Sequence, residues 1–455
     1  MLFACQGHGK STSKESDAGT DDTGLSNTPL ATSSAIVNMS RLEGDSPLLH
    51  AALFWFGSLS LESNYADGRI GFDDTGLQLH LTAFDFKIWY DENPSIETLE
   101  QWDAFSVYLA SDTDGVNRMR FVGQFAYGND SSGYQQAYAW NGSDWETSST
   151  SYTIETGYRS SGLNRDDAEA SGWNLTLTVP YASLGLSAAP DTGSEWHMAV
   201  LMHDRDSGDG PALEPKGWPY GVDVDDPSSW GVLRFGMPTY SSSPSNTGTE
   251  YEIYEGLDGQ HVVDAHVGGS SDCGGVLGTG EKKFSEWGDL NYAGSIFLNV
   301  QNQWDVADSG CFSKVYLRFN LGALPADKVV QHAELRMHHF GNSLPSEAPD
   351  SYIQVHTTAA QWDEQTITWN NAPSAIENLS GVVVQPLPAG STDVVAYEWD
   401  ASRAVAASYE EGSEVALVLY SGDGPRHTGK YFTASDGSDG NPFRRPALLV
   451  TLADP

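Results

Sequence analysis

Trp173-Asn174-Leu175-Thr176-Leu177-Thr178-Val179 sets a large apolar side chain at every second position. A period of two lets a strand bury one face and wet the other. The same grammar appears on either side, in Leu77-Gln78-Leu79-His80-Leu81, Phe105-Ser106-Val107-Tyr108-Leu109 and Arg120-Phe121-Val122-Gly123-Gln124-Phe125. It resumes in residues 314–319, 333–337, 352–356, 415–419 and 447–452. Between the two groups, Tyr240-Ser-Ser-Ser-Pro-Ser-Asn-Thr-Gly-Thr-Glu250 has the composition of a linker. The expectation is an all-β chain of two tandem, jelly-roll-like β-sandwiches over 47–238 and 259–455. A linker over 239–258 joins them, and a disordered tether over 1–46 precedes them.

Composition agrees and narrows the function. Lys plus Arg is 23 and Asp plus Glu is 62, a net charge of −39 over 455 residues. Such a surface repels phosphate backbones and anionic lipid, so nucleic acid is a poor partner. With 39% hydrophobic residues, 14 Trp and 20 Tyr, the chain carries too much apolar and aromatic material for an acidic disordered polymer. No run of about 18 apolar residues offers a transmembrane segment. Neither a Ser/His/Asp arrangement, a zinc spacing nor a phosphate loop stands out.

The three cysteines divide in two groups. Cys273 and Cys311 sit in Gly/Ser-rich settings of the same region and are expected to form a disulfide in an exported protein. Cys5 follows Leu2-Phe3-Ala4, which resembles the lipobox of bacterial lipoproteins, and a polar stretch suited to a tether comes after it. Lipidation at Cys5 would place the chain on the outer cell surface of a bacterium or in the extracellular space, held by a lipid anchor. Two acidic turns offer oxygen ligands for calcium: Asp112-Thr-Asp114-Gly and Asp204-Arg-Asp206-Ser-Gly-Asp209-Gly. Carboxylates two residues apart in a glycine-bearing turn can share one ion, although neither turn has EF-hand spacing.

Residues 173–206 also carry a resemblance. Trp173 to Val179 runs into Pro180-Tyr-Ala-Ser-Leu-Gly185, and a Trp196-led strand ends in Asp204-Arg-Asp206. This resembles the family 9 carbohydrate-binding modules over about residues 47–238, with Ser229-Trp230-Gly231-Val232-Leu233 as the closing strand. The resemblance implies sugar stacking on rings held by polar loops, for which Trp140, Trp145, Trp218 and Tyr220 are the candidates. Trp173 and Trp196, on strands, are expected in the core.

Gln361-Trp362-Asp-Glu-Gln-Thr-Ile-Thr-Trp369-Asn-Asn-Ala-Pro373 is the most specific motif of the chain. With Tyr316-Leu-Arg-Phe-Asn-Leu321, Ala333-Glu-Leu-Arg336 and Arg445-Pro-Ala-Leu448, it resembles the DNRLRE domain, related to family 96 carbohydrate-binding modules. The chain departs from that pattern at Ser435-Asp436-Gly437, where Ser-Arg-Glu or Ser-Lys-Glu is usual. The resemblance implies binding of polysaccharide, including uronate-rich polymers, and Arg336, His338, Lys430, Arg444 and Arg445 are the cations available for them. Glu334-Leu-Arg336, Gln354-Val-His356 and Lys430-Tyr-Phe432 also resemble, in part, three motifs of family 7 alginate lyases.

These readings converge on a non-catalytic binder of extracellular polysaccharide, for acidic glycans and dependent on calcium. A polysaccharide lyase or glycoside hydrolase hidden in one sandwich, or an adhesin that binds protein, is the alternative.

Overall fold

The computed structural model describes residues 35–44, 47–60, 63–111, 117–128, 132–167, 170–269, 287–302, 312–423, 427–437 and 441–455. Within them, strand follows strand, with short 3-10 turns and the α-helix Ser402–Glu411. No helix among the described residues is long and apolar enough to cross a membrane. Cys5, Cys273, Cys311, Asp112 and Asp114 lie outside the described residues.

The alternation at residues 173–179 belongs to the strand Ala170–Pro180, antiparallel between Gly76–Phe84 and Thr153–Ser160. With Tyr65–Phe72 and Ala52–Gly57 these strands form the back sheet of a first sandwich. Its front sheet runs Gly231–Phe235, Glu195–His203, Ala104–Ala110, Arg118–Gln124, Gln135–Trp140 and Trp145–Ser148. Trp173, Leu175, Leu177 and Val179 meet Phe105, Phe121 and Trp196 in the core between the sheets, so Trp173 and Trp196 are where their strand positions put them.

The second sandwich pairs Val262–Gly268, Ser313–Asn320, Glu414–Ser421, Ser351–Thr358 and Ala375–Val384 in one sheet. The other holds Thr249–Tyr254, Ala447–Ala453, Val329–Asn342, Lys430–Thr433 and Phe297–Val300, with Val395–Asp400 also on Val329–Asn342. Leu317, Leu335, Ile353, Trp399 and Phe432 fill the space between them.

Two boundaries differ from the sequence reading. Ile36–Arg41 falls in the stretch read as tether, yet it runs parallel to Gly231–Phe235 and buries Val37 and Met39 in the first core. Thr249–Tyr254 falls in the linker stretch, yet it pairs with the last strand and buries Ile253 in the second core. Each is a short apolar alternation embedded in polar sequence, and composition alone averages it away.

The two sandwiches share a third core. Ala52–Gly57 reads Ala-Leu-Phe-Trp-Phe without alternation because both faces are buried. Ala52, Phe54 and Phe56 serve the first core, while Leu53 and Trp55 join Tyr316, Trp362, Ile367, Trp369, Val418 and Tyr420 of the second sandwich. The Gln361–Pro373 motif therefore supplies the packing that joins the sandwiches. Asn370 seals the seam by donating to the Leu59 carbonyl at 2.9 Å and accepting from the Leu59 amide at 2.8 Å. Gln354 donates to the Ala51 carbonyl at 2.7 Å. Inside, the Lys314 ammonium lies 3.7 Å from the Trp369 ring centroid, 4.3 Å from Trp55, 4.6 Å from Tyr65 and 4.9 Å from Tyr420.

Buried carboxyls in the second sandwich leave a pH signature. Burial pushes Asp264 up to about 7; its bond from the Ser435 amide, 2.6 Å, opposes the shift, and Asp436 and Glu364 add to it. Between about pH 4 and 7 the folded chain holds a proton that the unfolded carboxyl has released, so stability falls as the pH rises through that window. Asp264→Asn is expected to flatten this slope in melting temperature between about pH 5 and 8. A slope equal to that of the wild type would reject the assignment.

Candidate functional site

Strand alternation on the front sheet of the first sandwich sends Phe105, Val107 and Leu109 into the core and Tyr108 to the outer face. There the register aligns Tyr108, Arg120 and Tyr138 across three strands. The Arg120 guanidinium lies 5.5 Å from the Tyr108 ring centroid and 4.9 Å from that of Tyr138, and it forms an ion pair with Glu100. One step along, Arg118 stands 5.0 Å from the Trp140 ring. Trp140 meets Trp145 edge-on at 5.5 Å, and Trp145 meets Tyr108 at 5.6 Å. The outcome is a half-buried platform of Arg118, Arg120, Tyr138, Trp140 and Trp145 laid over Tyr108, which is 3% exposed and packs with Trp230 beneath it.

Trp140 and Trp145 are not loop residues, as the sequence led us to expect; they face each other across the hairpin that ends the sheet. Their turn is shaped by Asn141, whose side-chain oxygen accepts from the amides of Ser143 and Asp144. Trp218 is a correction. It ends the strand Lys216–Trp218, is 4% exposed and packs 4.6 Å from Phe54, over Gly231, where a Cβ would collide with its ring. A polar, glycine-bearing sequence around Trp218 hides a core residue. Tyr220, two residues on, is 69% exposed.

The platform is electrostatically committed. Burial pushes the Glu100 carboxyl up, but His203 and Arg120 outweigh it and hold the group at about 2. His203 Nε2 lies 3.3 Å from Glu100 and 2.9 Å from the Ser106 hydroxyl. A carboxyl held so low stays ionised well below neutral pH and keeps its ion pair with Arg120. Sequence reading passed over Tyr108, Arg120 and Tyr138, although the alternation Arg118-Met119-Arg120-Phe121 already places both cations on the outward side.

At one end of the same sandwich three carboxylates converge. Asp85 follows the strand Gly76–Phe84, Asp103 precedes Ala104–Ala110 and Asp204 follows Glu195–His203. One oxygen of each lies within 4.8 Å of the others, and all three residues are buried. Asp103 accepts from the amides of Trp89 and Arg205 at 2.8 and 3.0 Å. One oxygen of Asp85 and one of Asp204 have no hydrogen-bond partner. Burial raises all three carboxyls; Asp204 lifts Asp85 further, Asp85 lifts Asp103 further, and Asp204 itself is pushed to about 7, with Asp206 adding to the burial. Of the sequence candidates, Asp204 is in this cluster, Asp206 is near enough to act on it, and Asp209 is exposed.

In the second sandwich, Arg336 lies on the outer face, 2.7 Å from Glu398 and 3.6 Å from Glu252, with half-buried His338 next along the same row. Arg444 ends the turn Pro442–Arg444, and Arg445 donates to the Glu255 carbonyl at 2.8 Å. Lys430 is a correction. It is fully buried, and its ammonium donates to the carbonyls of Pro349 and Thr428 at 2.8 and 2.7 Å, which removes it from any glycan surface. Burial lowers it to about 8, although Asp423 and Asp350 pull it upward. The lyase motifs do not assemble either. Gln354 and His356 are 3% and 1% exposed on the face covered by Ala51 and Trp55, whereas Arg336 stands on the outer face of the opposite sheet.

Comparison with known proteins adds the following. The model of carbohydrate-binding module family 96 matches residues 285–451, within the second sandwich. No curated protein matches. Among solved structures, a candidate carbohydrate-binding protein from Bacteroides uniformis ATCC 8492 is 13% identical, covering 45% of this chain and 100% of that one at a TM-score of 0.33. A family 9 carbohydrate-binding module from Caldicellulosiruptor kristjanssonii, solved with cellotriose, is 13% identical over 47% of this chain and 98% of that one, at a TM-score of 0.31. The same module solved with glucose gives 12%, 46%, 98% and 0.31. Through residues 285–451, the chain has the architecture of a carbohydrate-binding module.

Proposed function

We propose that this chain is a non-catalytic polysaccharide-binding protein, with a DNRLRE-type module as its second sandwich and a family 9-like module as its first. The family 96 match over residues 285–451 carries the reading. The ring and guanidinium platform of Arg120, Tyr138, Trp140 and Trp145, backed by buried Tyr108, supports glycan contact on the first sandwich, and Arg336, His338, Arg444 and Arg445 are the proposed contacts for acidic glycans on the second. Calcium is proposed at Asp85, Asp103 and Asp204, where a divalent ion would take up three buried negative charges. Export, a lipid tether at Cys5 and a Cys273–Cys311 bridge complete the proposal.

The test is calorimetric titration of the full chain against a glycan array's best neutral and acidic hits. Stacking one ring on a sugar hides on the order of 60 to 80 Å² of apolar area, worth about 1.5 to 2 kcal/mol. Trp140→Ala, Trp145→Ala and Tyr138→Ala are each expected to weaken binding about tenfold to thirtyfold. Trp218→Ala should instead lower the melting temperature. Wild-type affinity in all three platform variants would remove the glycan from this face, and release of shortened sugars would overturn the non-catalytic reading.

A further inference from the structure

We infer that the first sandwich carries a second sugar site, separate from the front platform: a groove at the end where its two sheets part, built on Tyr90, Tyr127 and Tyr158 and suited to a neutral glycan. This rests on the polysaccharide-binding reading above.

Large apolar side chains left in water ask for an explanation when they adjoin one another. Tyr127 is 61% exposed and Tyr158 43%, and their rings stand 6.0 Å apart at 64°, forming an open corner. Tyr127 lies just past the front strand Arg118–Gln124 and Tyr158 is on the back strand Thr153–Ser160, so the corner spans the mouth of the core. Tyr90 and residues 160–163 complete a groove of about 300 Å³.

The groove is held in shape from below. Phe125, fully buried, meets Tyr158 at 5.5 Å, Tyr90 at 5.3 Å and Trp173 at 6.1 Å. Thr156 donates to the Ala126 carbonyl at 2.7 Å and ties the two strand ends together. Asn164 clamps the opposite wall: its side chain accepts from the Tyr90 amide at 2.8 Å and donates to the Tyr90 carbonyl at 3.0 Å. A ring corner fixed in advance loses little freedom when a ligand settles on it.

The size and chemistry of the groove select the occupant. About 300 Å³ is the volume of a small-ligand cleft. Rings beside the serines at 160 and 161 offer an apolar face next to hydroxyls, which is the pairing a pyranose presents in return. None of the described lining residues is charged, in a chain of net charge −39. A uronate would find no cation among these described lining residues and would meet the field of an acidic chain, whereas a neutral sugar would need no cation and feel no such field.

The probes are cellohexaose, xylohexaose and mannohexaose, with hexaguluronate as the anionic counterpart, titrated into the full chain at low and high salt. At least one neutral probe should bind wild type with little salt dependence, and the Tyr127→Ala, Tyr158→Ala double variant should lose about tenfold or more in affinity while remaining folded at the titration temperature. Tyr158→Phe should bind within about twofold of wild type, since the ring remains. If the double variant binds every neutral probe like wild type while Trp145→Ala weakens one of them, the groove is refuted and the front platform stands. If wild type binds no probe at all, the groove and the broader reading fall together. Preferential loss of hexaguluronate in the double variant would refute the neutral class.

Discussion

Asp67→Ala is expected to lower the unfolding free energy by about 3 to 5 kcal/mol, the range for removing one partner of a buried charge cluster. Asp67 is 1% exposed at the seam between the sandwiches. It accepts from the Tyr65 hydroxyl at 2.7 Å, the Tyr420 hydroxyl at 3.0 Å and the Asn302 amide at 2.9 Å, and it lies 3.6 Å from Arg69. Burial lowers the pKa of both Arg69 and Lys314, and Asp67 is the first group that pulls each back toward its charged form. Its removal takes a counter-charge from two buried cations and an acceptor from three donors inside a buried aromatic box. Because Tyr65 and Asp67 come from the first sandwich and Tyr420 and Asn302 from the second, the loss should appear in both sandwiches as one transition. Lys314→Met in the Asp67→Ala background should recover part of it, with a coupling of about 1 to 3 kcal/mol. A loss under about 1 kcal/mol by denaturant titration, the scale of a surface substitution, would show that the cluster does not hold the seam.

How much of this was legible in the chain follows from how far each signal reaches. Alternation acts within one strand, so residues 173–179 disclosed both the strand and its buried face. The unbroken run Ala52-Leu-Phe-Trp-Phe56 carried more than a strand: apolar residues on both faces mean cover on both sides, and the second cover is the other sandwich. The Gln361–Pro373 motif was conspicuous, but one ring that Trp369 meets, Tyr65 at 4.9 Å, comes from about 300 positions earlier. Lys430 and Trp218 misled for a common reason. Each sits in a polar, glycine-bearing stretch, and its burial depends on distant partners, the Pro349 carbonyl in one case and Phe54 in the other. The acidic cluster shows the limit most clearly, since Asp206 and Asp209 are Asp204's neighbours in sequence while Asp85 and Asp103 are its neighbours in space.

That cluster yields a test whose sign reverses. Three buried carboxylates within 4.8 Å repel one another, and an ion that binds only the folded chain would stabilise it by about 2.7 kcal/mol at a hundredfold excess over its Kd. Millimolar calcium is therefore expected to raise the melting temperature over chelator at constant ionic strength. Asp85→Asn keeps the oxygen that accepts from the Lys87 amide at 2.8 Å and neutralises the one that has no partner. In chelator this variant should melt above wild type, because a buried carboxyl that must either repel its neighbours or take up a proton on folding is gone. In calcium it should melt below wild type, because a ligand is gone. Asp209→Asn, changed at an exposed carboxyl outside the cluster, should follow wild type in both conditions. Repulsion without a metal predicts the first result alone, and a solvated acidic turn predicts neither. Parallel shifts of wild type and Asp85→Asn on adding calcium would therefore place the ion elsewhere, whereas a crossing of the two would tie it to Asp85, Asp103 and Asp204.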